Sequence, residues 1–404
     1  MSELEINDWA AAIEPSATLA VGARARELRQ RGERVLDFSM GEPDFQPPAA
    51  VGDAVAEMVR ARPVHYAPVA GLGELREAAA AELGSYHGRA MKSAEVMVSA
   101  GAKHALANLL LVTLRPGDEV VVLAPYWVSY PAMIQLAGGA PRIVETRGDE
   151  RWQPREEALA AALGPRTRFV LLNSPSNPTG AGLDAAGLAR ILEVVLARAP
   201  QAWILVDDIY RRLVYGDFKH ASAFRALAGR TDRIVLVDGL SKSHAMTGYR
   251  IGFLVAPPPV IAAAARLQGQ MTSGVATPSQ VAAVAALTDP AGEEALATMQ
   301  QAFARRRELV LTALAAIPSL SVVPPDGAFY AFLDARAHVG PGAAFADDLA
   351  LATWLLDKER VALVPGTPFG APGHLRLSYA TSDEALREGL ARLAGAFASL
   401  PARG

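Results

Sequence analysis

The chain has 404 residues, of which 51% are apolar and 20% charged, and a net charge of −3. That length is too great for one small core and predicts two domains, while scattered Lys and Arg residues exclude a nucleic-acid footprint or a polybasic membrane anchor. With no cysteine, disulfides, thiolate catalysis and zinc–thiolate centres are excluded, and no metal site is expected.

From its start the N-terminal stretch mixes acids and bases and lacks the pattern of a secretion or transit signal, so a cytoplasmic enzyme is expected. The most apolar runs, 119–125 and 203–206, are of strand length and far short of the roughly 20 residues a membrane span needs. Alanine-rich segments at 77–82, 157–163 and 261–265 predict helices. Short β-branched runs alternate with helical stretches: 95–100 before 102–114, 119–123 before 129–138, 168–173 before 184–198, then 203–208 and 233–239. Strands apolar on both faces, interleaved with helices, predict a mostly parallel sheet covered on both sides. After about residue 290 a long helix near 292–316 leads into LSVVPPDGAFYAFLD, VALVPG and HLRLSYA, read as short strands of an α+β domain. The expected division is therefore 1–48 packing with the small domain, 49–290 as the large α/β domain, and 291–404 as the small domain. In such sheets ligands sit beyond the carboxyl ends of the strands, where the unusual polar residues fall.

Lys242 follows the run 233–239 within Ser241-Lys242-Ser243-His244-Ala245-Met246-Thr247-Gly248-Tyr249-Arg250-Ile251-Gly252. Read alone it is a surface lysine in a loop or a nucleophile, since burial and a neighbouring cation lower an ammonium's pKa and free the amine. Arg250 is a planar cation suited to a pair of phosphate oxygens. The segment Asn173-Ser174-Pro175-Ser176-Asn177-Pro178-Thr179-Gly180 reads by itself as a turn. Asp207 ends an apolar run, where a carboxylate needs a partner, and Asp208 reads as the cap of a following helix. Gly101-Ala102-Lys103 opens a helix and presents free backbone N–H groups, an anion site. Trp127 is either core or a stacking surface, and Arg376 either a surface residue or a buried anion clamp.

Taken together these segments resemble the class I/II aminotransferases of fold type I. The pattern S-K-x-x-x-x-T-G-x-R-I-G lies at 241–252, N-x-P-x-N-P-T-G at 173–180, Asp207 with Tyr210 follows, and Y-x-P-x-x-G begins at Tyr66. The similarity runs from about residue 14 to 390. It implies a transaminase dependent on pyridoxal 5'-phosphate, with a mostly parallel seven-stranded-type α/β sheet flanked by helices and a smaller α+β domain. By that resemblance Lys242 carries the cofactor as a Schiff base and later moves the proton from the substrate Cα. Arg250 and the Gly101, Ala102 and Lys103 amides hold the phosphate. Many relatives carry a phosphate-binding serine where this chain has Gly239, and Ser241 is at best its substitute. Asp207 belongs under the pyridine nitrogen, Asn177 and Tyr210 at the phenolic oxygen, and Trp127 over the ring.

For the substrate, the resemblance implies that Arg376 forks the α-carboxylate, with Gly41 offering an N–H and Trp127 and Asn177 nearby. Tyr66 reaches the neighbouring subunit's phosphate, which implies a homodimer. The chain is most similar to bacterial aspartate-type enzymes, in which Thr18 and Lys103 would meet an acidic side chain. Glu14 could equally favour a cationic or aromatic side chain, so broad-range, aromatic and arginine–pyruvate transaminases stay open, as does a β-lyase. A non-catalytic sensor on this fold would need an added winged helix and a basic excess.

Overall fold

The computed structural model describes residues 5–6, 13, 17–61, 63–227 and 230–400. Strand β1 (Leu36–Asp37) precedes the large sheet, made of β2 (Val96–Ala100), β3 (Glu119–Ala124), β4 (Ala140–Glu145), β5 (Thr167–Asn173), β6 (Trp203–Asp207), β7 (Ile234–Gly239) and β8 (Ile251–Val255). The C-terminal part adds β9 (Ser321–Val322), β10 (Tyr330–Asp334), β11 (Val361–Ala362), β12 (Val364–Pro365) and β13 (His374–Ser378). The seven strands run in the order β2-β8-β7-β6-β5-β3-β4. All pair in parallel except β8, which is antiparallel to both β2 and β7.

Alternate residues along each strand feed two separate cores. Val98, Val121, Val170 and Ile204 pack to one side with the helices Gly73–His87 and Ala185–Arg198. Met97, Val120, Phe169 and Leu205 pack to the other, against Ala102–Thr113. Burial on both faces is why these strands read as continuous apolar runs. Two strands of this sheet were not expected from the sequence. β4 is an edge strand in which only Val144 is buried, so it lacks the apolar run that marks its neighbours. β8 is wholly buried but directly follows Arg250, inside what reads as a loop motif.

A second sheet, β12-β13-β10-β9, belongs to the C-terminal part. Its core joins Phe303 on the long helix Ala291–Ala315 to Phe329, Tyr379 and Leu390. Residues before 48 meet this part of the chain: β1 pairs in parallel with β11, and Ala25 and Leu28 of the helix Ala17–Gln30 pack on Leu356 and Ala362. Among the described residues no helix is long and apolar enough to cross a membrane, and no cluster of His, Asp and Glu is arranged to hold a metal.

Candidate active site

The parallel strands deliver their carboxyl ends to one edge of the sheet. Because β8 runs the other way, its first residue also lies at that edge, which brings Arg250 beside the end of β2. Gly101, with φ 84, turns the chain from β2 into the helix that starts at Ala102. A Cβ on Gly101 would stand 2.4 Å from the Arg250 guanidinium, so only glycine admits that contact. Arg250 Nη1 donates to Thr247 O at 2.9 Å, and no carboxylate pairs with it among the described residues.

A cavity of about 650 Å³ opens here. Lys242, Asp207, Tyr210, Asn177, Arg376 and Arg250 all line it. So do Thr18, Gly41, Ala102, Lys103, Trp127 and Ser241. One expected residue, Tyr66, stands apart. It is 94% exposed and borders a different hollow, beside Thr272 and Gly274. Glu14, with Pro15 and Ser16, lies outside the described residues.

Lys242 sits in the single helical turn Leu240–Ser243 after β7, and its Nζ donates to Gly41 O. Burial lowers its pKa to about 8, with Glu42 opposing and Arg250 and Arg376 adding to the shift. At neutral pH a useful fraction is then free amine. Asp207 is 3% exposed and forms no ion pair among the described residues, although its charge acts on Lys242. Its Oδ2 accepts from Tyr130 Oη at 2.7 Å, yet burial raises its pKa to about 7. Such a carboxyl lacks a positive partner that a bound group would supply. Arg376, 2% exposed, donates to Asn177 Oδ1 at 3.0 Å and Ser39 O at 2.6 Å. Its Nε is buried without a partner, and no acid pairs with it among the described residues. A buried cation left so is a receptor for an anion. Lys103 Nζ lies 4.9 Å from the Trp127 ring centroid and likewise meets no acid among the described residues.

Lining residues that went unremarked in the sequence include Tyr130, Tyr330 and Glu42. Tyr130, three residues beyond Trp127, is the second residue of the helix Ser129–Leu136, and its hydroxyl meets Asp207. Tyr330 shares a 2.9 Å hydrogen bond with Tyr210 and lies under Arg376 at 4.7 Å. Glu42 follows Gly41 into the cavity. The expected role of Asp208 is corrected: no helix follows it until Ala223, and it is buried with its Oδ1 3.0 Å from His220 Nε2. Behind it Arg211 donates to Asp238 at 2.6 Å and to both oxygens of Glu82 at 2.7 Å.

The residues fit pyridoxal 5'-phosphate. A partly freed amine, a buried carboxyl without a cation, and an arginine over an open helix N-terminus match its aldehyde, ring nitrogen and phosphate. The profile of the family described as "Aminotransferase class I and II" matches residues 33–393. The aspartate/prephenate aminotransferase of Cereibacter sphaeroides is 41% identical over 96% of this chain and 97% of its own length. The aspartate aminotransferase of Geobacillus stearothermophilus is also 41% identical, over 95% and 96% of the two chains. Among solved structures, the Thermus thermophilus aspartate aminotransferase with maleate superposes with a TM-score of 0.90 at 39% identity, covering 97% of this chain and all 100% of that one. The Rhizobium meliloti aspartate aminotransferase gives 0.93 at 37% identity over 99% and 100%. The chain therefore belongs to the class I and II aminotransferases, the pyridoxal-phosphate-dependent transaminases of fold type I.

Proposed function

We propose that this transaminase moves an amino group between an acidic L-amino acid, aspartate or glutamate, and a 2-oxo acid, in ping-pong fashion. The observation that carries the reading is that, besides Arg250 at the phosphate end, Arg376 and Lys103 line the same cavity with no acid partner among the described residues. A dicarboxylate needs two such receptors, and the names of the relatives support the choice. Glu42 in the same cavity favours a second reading, a broad-range or arginine–pyruvate transaminase. The test is the visible spectrum of the loaded enzyme after single amino acids are added without a 2-oxo acid. Aspartate is expected to convert the chromophore fastest, with arginine and phenylalanine at least about tenfold slower, a gap of about 1.4 kcal/mol. Faster conversion by arginine would replace the first reading with the second.

Pyridoxal 5'-phosphate supplies, when bound, an electron sink for the pair left on the substrate Cα. In this reading Lys242 Nζ would hold the cofactor until the substrate's amino group takes its place, and the neutral amine so released would accept the Cα proton. Asp207 keeps the ring nitrogen protonated, supported by Tyr130. Tyr210 and Asn177 steady the phenolic oxygen, and Trp127 covers the ring. Arg250, Ser241 and the amides of Gly101, Ala102 and Lys103 hold the phosphate. Arg376 and the Gly41 N–H orient the α-carboxylate, while Lys103 and Thr18 meet the distal one. Tyr66 is exposed and does not line this cavity, which supports a homodimer in which it serves the partner's site. Residues 49–290 form the cofactor domain in this scheme, with 1–48 and 291–404 grouped as the smaller one.

Gly101→Ala tests the phosphate cradle. The added Cβ must displace Arg250, and equilibrium dialysis is expected to show at least about tenfold weaker cofactor binding. Gly117→Ala is the control for backbone strain, since Gly117 has φ +92 but nothing within 4 Å of an added Cβ. Equal losses in the two variants would argue against the cradle.

A further inference from the structure

We propose that Arg306 is a positioning residue for the carboxylate end of the substrate site, acting through the turn that carries Gly41. The proposal rests on the reading of Gly41 and Arg376 given above. Arg306 lies on the helix Ala291–Ala315 and is 7% exposed, whereas its neighbour Arg305 faces solvent. Its guanidinium forks Asp44, with Nη1 to Oδ1 at 2.7 Å and Nη2 to Oδ2 at 2.8 Å. Nε donates to Asp383 Oδ1 at 2.9 Å. The rings of Phe45 and Phe303 flank it, with centroids 5.3 and 5.6 Å from its central carbon.

One cation thereby joins two segments that both lead into the site. Asp383 opens the helix that follows β13, the strand of Arg376. Asp44 closes the stretch that starts at Ser39, whose carbonyl accepts from Arg376, and includes Gly41, whose carbonyl accepts from Lys242. The stretch 39–44 is therefore pinned at one end by the substrate-binding and cofactor-binding cations and at the other by Arg306. A planar fork on a carboxylate fixes orientation as well as distance, which a lone ammonium does not. Without it the Gly41 N–H loses its fixed direction, although no group that touches substrate has been removed.

The test uses the holoenzyme and maleate as the dicarboxylate probe. Arg306→Met is expected to weaken maleate binding about tenfold and to raise KM for donor and acceptor alike, with kcat changed less than threefold. Arg306→Lys should fall between, because it keeps the charge and loses the fork. Asp44→Asn should reproduce the loss, and the double variant should be no worse than either single one, a coupling that general destabilisation would not give. Arg305→Met, on the same helix, should bind maleate normally. Arg376→Lys separates the two layers of the argument. If it weakens maleate while folded Arg306→Met and Asp44→Asn bind within twofold of the parent, the positioning role is wrong and the carboxylate reading stands. If Arg376→Lys also binds normally, the carboxylate reading falls and the proposal falls with it.

Discussion

Lys242→Ala is expected to abolish multi-turnover transamination, with a loss of roughly 10⁴-fold or more, since one nitrogen provides both attachment and proton transfer. The environment of the amine gives the prediction a second readout. Burial has moved its pKa to about 8, with Glu42 pulling it back and Arg250 and Arg376 pushing it further. Only the neutral amine attacks an aldehyde, so the rate at which cofactor-free protein takes up pyridoxal 5'-phosphate covalently should rise about tenfold per pH unit below that value. Above about pH 9 it should level off. A lysine at its ordinary pKa would keep rising past pH 10. Sustained turnover in Lys242→Ala, or an uptake rate still climbing at pH 10, would contradict the assignment.

The large sheet was legible because burial on both faces wrote its inner strands as apolar runs, and because polar residues cluster where those runs stop. β4 escaped for the opposite reason, an exposed edge with no such run. The direction of β8 has no sequence signal, although it decides where Arg250 stands. Asp207 and Asp208 look alike in sequence, but successive residues leaving a strand face opposite sides. One meets Tyr130 in the cavity and the other meets His220 behind it. In the same way, Arg305, Arg306 and Arg307 form one basic run, and helical rotation leaves the first exposed, the last half-buried and only the middle one fully buried. Residues proposed to touch the cofactor announced themselves through motifs. Tyr130, Tyr330 and Arg306, the residues proposed to hold them, depend on contacts between segments far apart in the chain.

Asp207→Asn is expected to lower turnover by about 10²- to 10⁴-fold and, in the cofactor-free protein, to raise stability. The sign follows from the raised pKa. An acid at 3.8 in the unfolded chain and about 7 in the fold binds its proton more tightly when folded, so ionisation penalises the fold. The penalty is absent below about pH 4, grows as pH rises to about 7, and is constant above. Its ceiling is about 4 kcal/mol, three pH units at about 1.4 kcal/mol each, and relaxation should leave about 2–3. Asparagine keeps an acceptor for Tyr130 without the charge. At pH 8 the variant should therefore melt later than the parent, and near pH 4 the two should coincide. Tyr130→Phe should do the reverse, because it removes the donor that holds this carboxyl down. Asp208→Asn supplies the contrast. Burial pushes that carboxyl up, but His220, with His87 and Arg211, outweighs it and holds the pKa below the ordinary value. At pH 8 His87 is neutral, because burial lowers its pKa to about 4. Arg211 and the contact with His220 are what still favour the Asp208 charge there, so Asp208→Asn should destabilise rather than stabilise. A pH-independent effect of Asp207→Asn, or matching signs for the two aspartates, would mean that Asp207 is not the carboxyl awaiting a cation, and the ring nitrogen would need another partner.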